Sequence, residues 1–211
     1  GRYGDVIMEI DWSVGQIMNK LKEHQLDKNT IFIFTSDNGP WLNFGNHAGS
    51  ASPLREGKGT AWEGGQREPC VVSYPNGIEG GRVIDTPMMT IDLLPTIAEI
   101  TGAKLPELKI DGKSVWDIWT GKSNKSPHDA YFFYYKSNEL HGVRYNGWKL
   151  YFPHTYRSLN GREGGKDGYP VNYDMNEIDE IELYDLKNDI SESKNVADQH
   201  PKIVLEIKSL A

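Results

Sequence analysis

Three side chains within twenty-two positions could bind an anion with the help of a metal ion. Asp37 and Asn38, in Ser36-Asp37-Asn38-Gly39-Pro40, are hard oxygen donors at the end of an apolar run. Adjacent side chains on an extended strand point to opposite faces, so both reach one ion only where the strand bends. Gly39-Pro40 permits that bend. Ca²⁺ takes roughly six to eight oxygens and Mg²⁺ about six, so further ligands must come from elsewhere. The bland alternative is an Asx-turn closing a strand. Lys58 lies in Glu56-Gly57-Lys58-Gly59-Thr60, where flanking glycines let backbone and ammonium approach an anion closely. The spacing is not that of a P-loop, and alone it equally describes a solvated loop lysine. His47, in Gly45-Asn46-His47-Ala48-Gly49, is a candidate to face substrate. Glu63 and Arg67 are expected to pin the loop through ion pairs or backbone hydrogen bonds. His128, His141, His154 and Tyr156 are pocket-rim candidates on residue type alone.

These residues need a scaffold. Val6, Ile7, Ile10, Val14, Ile17, Met18 and Leu21 recur at spacings of three and four, which predicts a helix over about residues 5–24 with one buried face. Ile31 to Phe34 is apolar at every position, as in a strand covered on both faces. Helix, short turn and buried strand make one step of an α/β fold, and ligands in such sheets bind beyond the carboxyl ends of strands. Asp37 and Asn38 stand at such an end. Cys70 to Tyr74 predicts a second buried strand, with Cys70 as an inert buried thiol. Leu93–Thr101 predicts a helix with Pro95 in its first turn and Gly102 as its stop. A short helix follows around Val115–Thr120.

Near Ser126-Pro127 the pattern changes. Tyr131–Tyr135, Gly142–Tyr145, Trp148–Phe152 and Glu182–Leu186 read as strands, and Asn146-Gly147 as a two-residue hairpin turn. Residues 153–180 read as a polar surface excursion, and Pro201 opens a last helix. The division expected is 1–126, part of a larger α/β domain, and 127–211, a small antiparallel sheet with a closing helix. The chain opens without Met, and two buried strands are too few for a doubly covered sheet. It is therefore expected to be the C-terminal part of a longer protein.

The sequence has 211 residues, a formal net charge of −7 and one cysteine. No intrachain disulfide can form. With no basic run, nucleic acid and anionic membrane are not expected as partners, and no apolar run has the length of a membrane span.

In order along the chain, YGDVIMEIDWSVGQIM, IFIFTSDNGP, PLREGKGTAWEGGQREP, TIDLLPTIAEITG and ELYDLKND resemble the sulfatase family of the alkaline phosphatase superfamily. The resemblance implies an alkaline-phosphatase-like α/β/α sandwich followed by the small sheet. It implies that Asp37 and Asn38 are the later pair of metal ligands, for calcium rather than magnesium, and that Lys58 contacts the sulfate group. The family's nucleophile, a Cys or Ser converted to formylglycine, would lie in an N-terminal half that is not in this sequence. Ala51-Ser52-Pro53-Leu54-Arg55 has the motif's Pro and Arg but Ala51 in the nucleophile position, and Cys70 lacks both partners. The expected activity is hydrolysis of an aryl or carbohydrate sulfate in an extracytoplasmic compartment, with these 211 residues inactive alone. The alternatives are a phosphate or phosphonate monoester hydrolase of the same superfamily and a non-catalytic sulfated-glycan binding module. One departure occurs: the family's Asp-Pro-x-Glu is here Asp189-Ile190-Ser191-Glu192, expected to affect only a surface turn.

Overall fold

The computed structural model describes residues 1–211. Helices are α1 (Arg2–Glu23), α2 (Glu63–Gln66), α3 (Leu93–Thr101), α4 (Trp116–Trp119) and α5 (Pro201–Lys208). Strands are β1 (Phe32–Thr35), β2 (Cys70–Ser73), β3 (Tyr131–Tyr135), β4 (Glu139–Tyr145), β5 (Trp148–Tyr151), β6 (His154–Ser158), β7 (Asp174–Ile178) and β8 (Glu182–Asp185). No helix is long and apolar enough to cross a membrane.

Cα packing separates two compact units. One comprises 1–16, 34–71 and 130–211; the other comprises 17–33 and 72–129. In the second unit, Val115, Ile118 and Trp119 form a core with Ile78, Met88, Leu93 and Ile100. Asp92 is fully buried and holds three segments together. It accepts hydrogen bonds from the backbone N–H of Met89 and of Lys113, and lies 2.7 Å from His128 Nε2. His128 is thus half of a buried structural pair, not part of a pocket rim.

The first unit is organised by the sheet β3-β4-β5-β8, antiparallel throughout. Its two faces differ, because successive residues point to opposite sides. Val143, Leu150 and Leu183 lie in cross-strand register and meet Ile207, Ile203 and Val204 of α5. One position along, Arg144, Lys149 and Tyr184 are also in register. On that face Tyr151 and Tyr184 pack with Ala61 and Trp62 from the glycine-rich loop. The β4–β5 turn carries Asn146 at φ 48° and Gly147 at φ 85°, the left-handed pair a type I′ hairpin requires.

Three expectations change. The segment 153–180 is not a plain excursion: β6 and β7 pair antiparallel from His154↔Ile178 to Ser158↔Asp174. Strand β6 buries His154, Tyr156 and Ser158 and half-exposes Thr155 and Arg157. The period of two is present, but polar residues occupy its inward positions. Second, α1 has the expected periodicity yet buries no residue, and Val6, Ile7, Ile10 and Ile17 stay exposed. Third, β1 and β2 form a two-stranded sheet whose residues are half-buried or exposed. Cys70 is exposed. Periodicity states which face is apolar, not whether anything covers it. Partial desolvation raises the Cys70 thiol, the opposite of an activated nucleophile.

Candidate sulfate and metal site

Strand β1 ends at Thr35, and the chain bends at Asp37-Asn38. The Ser36 hydroxyl donates to the carbonyl of Asn38 at 3.1 Å, closing that bend. Asp37 is exposed and Asn38 half-buried. Gly39 then donates its N–H to the carbonyl of Gly65 at 3.2 Å. A Cβ at Gly39 would stand 1.8 Å from the Gly64 carbonyl oxygen, so only glycine allows the two backbones to touch.

Lys58 comes to the same place by backbone contact. Its N–H donates to the carbonyl of Pro40 at 3.0 Å, and its ammonium lies 5.2 Å from the centroid of the Trp41 ring. Trp41 is 46% exposed and has Phe44 edge-on at 4.8 Å. The Lys58 carbonyl accepts from Arg157, through Nε at 2.9 Å and also through Nη2. So Asp37-Asn38 and Lys58, twenty positions apart, are neighbours.

The loop carrying Lys58 closes on itself. The N–H of Gly64 donates to the carbonyl of Arg55 at 2.8 Å, and the Thr60 hydroxyl donates to the carbonyl of Gly57 at 2.9 Å. The next layer is ionic and buried. Glu63 receives Lys149 Nζ at 2.8 Å on one oxygen and Arg144 Nη1 at 3.0 Å on the other. Burial alone would push the Glu63 carboxyl up, but the Lys149 and Arg144 cations hold it below the usual carboxylate range. Glu63 thus pins the loop as the sequence suggests. Arg67 is exposed, and its N–H donates to the carbonyl of Glu63.

Glu192 is the residue the sequence reading misplaced. It sits in no surface turn but is 0% exposed. Its Oε2 accepts the N–H of Glu63 at 2.8 Å, its Oε1 accepts the hydroxyl of Tyr151 at 2.5 Å, and its carbonyl accepts Arg55 Nη1 at 2.9 Å. Burial raises its carboxyl, against Lys149 and the Tyr151 hydrogen bond. The guanidinium of Arg55 also stacks 3.6 Å from the Trp62 centroid and donates to the hydroxyls of Tyr184 and Tyr156. Tyr156 is therefore core rather than pocket rim.

His47 ends a 3-10 helix, Leu42–His47. The hydrogen bonds of that helix run to residues 165, 167 and 171. His141 and His154 are buried and stacked on each other at 3.9 Å, not arrayed on a rim.

The donors around Asp37 suit a hard divalent cation in kind. They are oxygens, and a second carboxylate, that of Glu68, lies near. Its Oε1 is buried without a hydrogen-bond partner. Burial and then the Asp37 charge raise its carboxyl. A buried oxygen without a hydrogen-bond partner beside an acidic neighbour is the kind of donor a divalent cation would take. A polar cleft of about 450 Å³, lined by Ser50, Ser52, Glu56, Asn160 and Arg162 among others, opens beside the loop.

The chain matches sulfatase family models along its length. Residues 1–103 match the sulfatase family model, 57–158 the model of the N-sulphoglucosamine sulphohydrolase C-terminal part, and 126–211 that of the C-terminal region of aryl-sulfatase. The chain is 39% identical to human (Homo sapiens) steryl-sulfatase over 164 residues, covering 72% of this chain and 28% of that protein. It is 35% identical to an arylsulfatase of Hemicentrotus pulcherrimus over 224 residues, covering 99% of this chain and 40% of that one. A solved structure from Bacteroides thetaiotaomicron, described under metabolism of multiple glycosaminoglycans, superposes with a TM-score of 0.78 at 32% identity. That match covers 98% of this chain and 43% of the other. The chain belongs to the sulfatase family, and it spans well under half the length of these relatives.

Proposed function

We propose that these residues form the metal-and-lysine side of the active site of a sulfuric ester hydrolase acting on an aryl or carbohydrate sulfate. The carrying observation is the hydrogen bond from Lys58 N–H to the Pro40 carbonyl. It brings the main chain that carries Lys58 next to the turn that carries Asp37 and Asn38. A sulfate ester presents anionic oxygens that must be held while an oxygen nucleophile attacks sulfur. A preorganised ammonium does that at no reorganisation cost during reaction. Asp37 and Asn38 would hold a divalent cation, calcium in this reading, which when bound supplies positive charge toward the same oxygens.

The chain's own residues orient and restrain. Lys58 engages the sulfate group. Arg157 and Pro40 fix the Lys58 backbone on its two sides. The sequence contains no Cys or Ser followed by the Pro and Arg of the formylglycine motif, so the covalent step is assigned to a nucleophile outside these residues.

The test is Lys58→Ala in the natural protein that carries this sequence. Turnover of an aryl sulfate should fall by about 10²–10³, the usual cost of removing one preorganised charge-stabilising contact. Near-native turnover would reject the role of Lys58. Faster hydrolysis of the matching phosphate or phosphonate ester than of the sulfate would reject the substrate class.

A further inference from the structure

Glu63, Lys149 and Glu192 are between 0% and 1% exposed, and isolated buried charges are costly unless each is paired and hydrogen-bonded. Here every partner either lies at an end of the Lys58 loop or reaches one. Arg55 stands three positions before Lys58 and Glu63 five after. Glu192 grips both: its carbonyl accepts Arg55 and its carboxylate accepts the N–H of Glu63. Tyr151 adds a third attachment, lying 2.5 Å from Glu192 Oε1 and 3.2 Å from the Ala61 carbonyl. The backbone of Glu192 adopts φ 50°, an uncommon conformation for a residue other than glycine, here at a fully buried position.

We propose that Glu192 is the positioning residue of the Lys58 loop. From the segment that follows β8, it clamps both ends of residues 55–63 to the sheet, so that the lysine between them is held at one place. The sheet face bearing Arg144, Lys149, Tyr151 and Tyr184 is the rigid support for that clamp. Glu192 touches no reacting atom in this scheme; it acts through Arg55 and Glu63. The inference rests on the reading of Lys58 as the sulfate-binding lysine, but its structural content is measurable without turnover.

The experiment is amide hydrogen exchange on the protein and on Glu192→Ala, Glu192→Gln and Tyr151→Phe. In Glu192→Ala, exchange at Lys58, Gly64 and Arg67 should accelerate by about tenfold or more, while Val143, Leu150 and Leu183 keep their protection. Glu192→Gln keeps an acceptor for the Glu63 N–H and should recover much of the loop protection. Tyr151→Phe removes one hydroxyl from the clamp. It should loosen the same amides less, and it serves if Glu192→Ala does not fold. In the natural protein the Glu192→Ala loss should fall mainly on kcat for an aryl sulfate, measured well below its unfolding temperature. Uniform acceleration through sheet and loop, or unchanged exchange at Lys58, would overturn the proposal. A wild-type protein that turns over no sulfate ester would instead defeat the functional reading and leave the exchange result standing.

Discussion

The backbone N–H of Lys58 donates to the carbonyl of Pro40 at 3.0 Å, so the loop cation and the Asp37-Asn38 turn are joined by main chain and not by side-chain choice. Substituting either side chain should therefore change chemistry without moving the other. For Lys58→Ala, the expected fall in turnover should come with an unfolding temperature within a few degrees of wild type, as surface-directed substitutions usually give.

Asp37→Asn should weaken calcium binding. It removes the formal charge of one donor while keeping an oxygen in nearly the same position. Calorimetric titration of the natural protein should show an affinity loss of at least about tenfold. Unchanged affinity would remove Asp37 from the ligand set.

Glu63→Gln should destabilise the fold and change its acid sensitivity. The variant takes from buried Lys149 its nearer counter-ion, leaving Glu192 Oε1 at 3.9 Å; breaking a buried pair typically costs about 3–5 kcal/mol. The Glu63 carboxyl titrates below its ordinary 4.5 in the folded protein. Its ionisation therefore contributes stability that is present above pH 4.5 and is lost as pH falls through the lower folded value. Denaturant melts from pH 6 down to pH 3 should show wild type losing its advantage over Glu63→Gln in that window. A constant difference across the range would contradict the assignment.

His141→Phe should blunt a second acid-sensitive step at milder pH. Burial lowers both His141 and His154, partly offset at His141 by Glu139, whose Oε2 lies 3.5 Å from His141 Nε2, and at His154 by the Phe152 carbonyl. The Lys136 charge and, for His154, His141 itself push further down. The folded state thus prefers neutral rings. That stability is present above the ordinary 6.5 and is lost as pH falls through the lower folded values. Thermal melts between pH 7.5 and 5 should show a smaller decline in the variant than in wild type.

Much of the scaffold was legible because it rests on local rules. Helix α3 runs Leu93–Thr101 as expected, and Gly102 leaves it at φ 71°. The Asn146-Gly147 hairpin, the four-stranded sheet and the helix opening at Pro201 follow from turn chemistry and periodicity. The pairing of the Asp37 turn with Lys58 was suggested by the ordered motifs and not by either alone. Other features depend on contacts distant in sequence. Glu192 lies 129 positions from Glu63, and nothing around Asp189-Ile190-Ser191-Glu192 announces that its last residue is buried. The β6–β7 hairpin was hidden because His154, Tyr156 and Ser158 are polar residues that point inward. Exposure of α1 and of Cys70 was invisible for the converse reason: an apolar stripe or run does not reveal whether a neighbour exists to cover it.

Strand β5 directs Leu150 toward α5 and Lys149 with Tyr151 toward the loop. A one-residue slip in its pairing would exchange the two sets. The ammonium would then enter an aliphatic core, and Glu63 would lose the nearer of its two cations. The register of the sheet is thereby proofread by the same charges that hold the Lys58 loop. A chain that has folded this sheet correctly has already built the support for its lysine, and a misregistered one carries no half-working version of it.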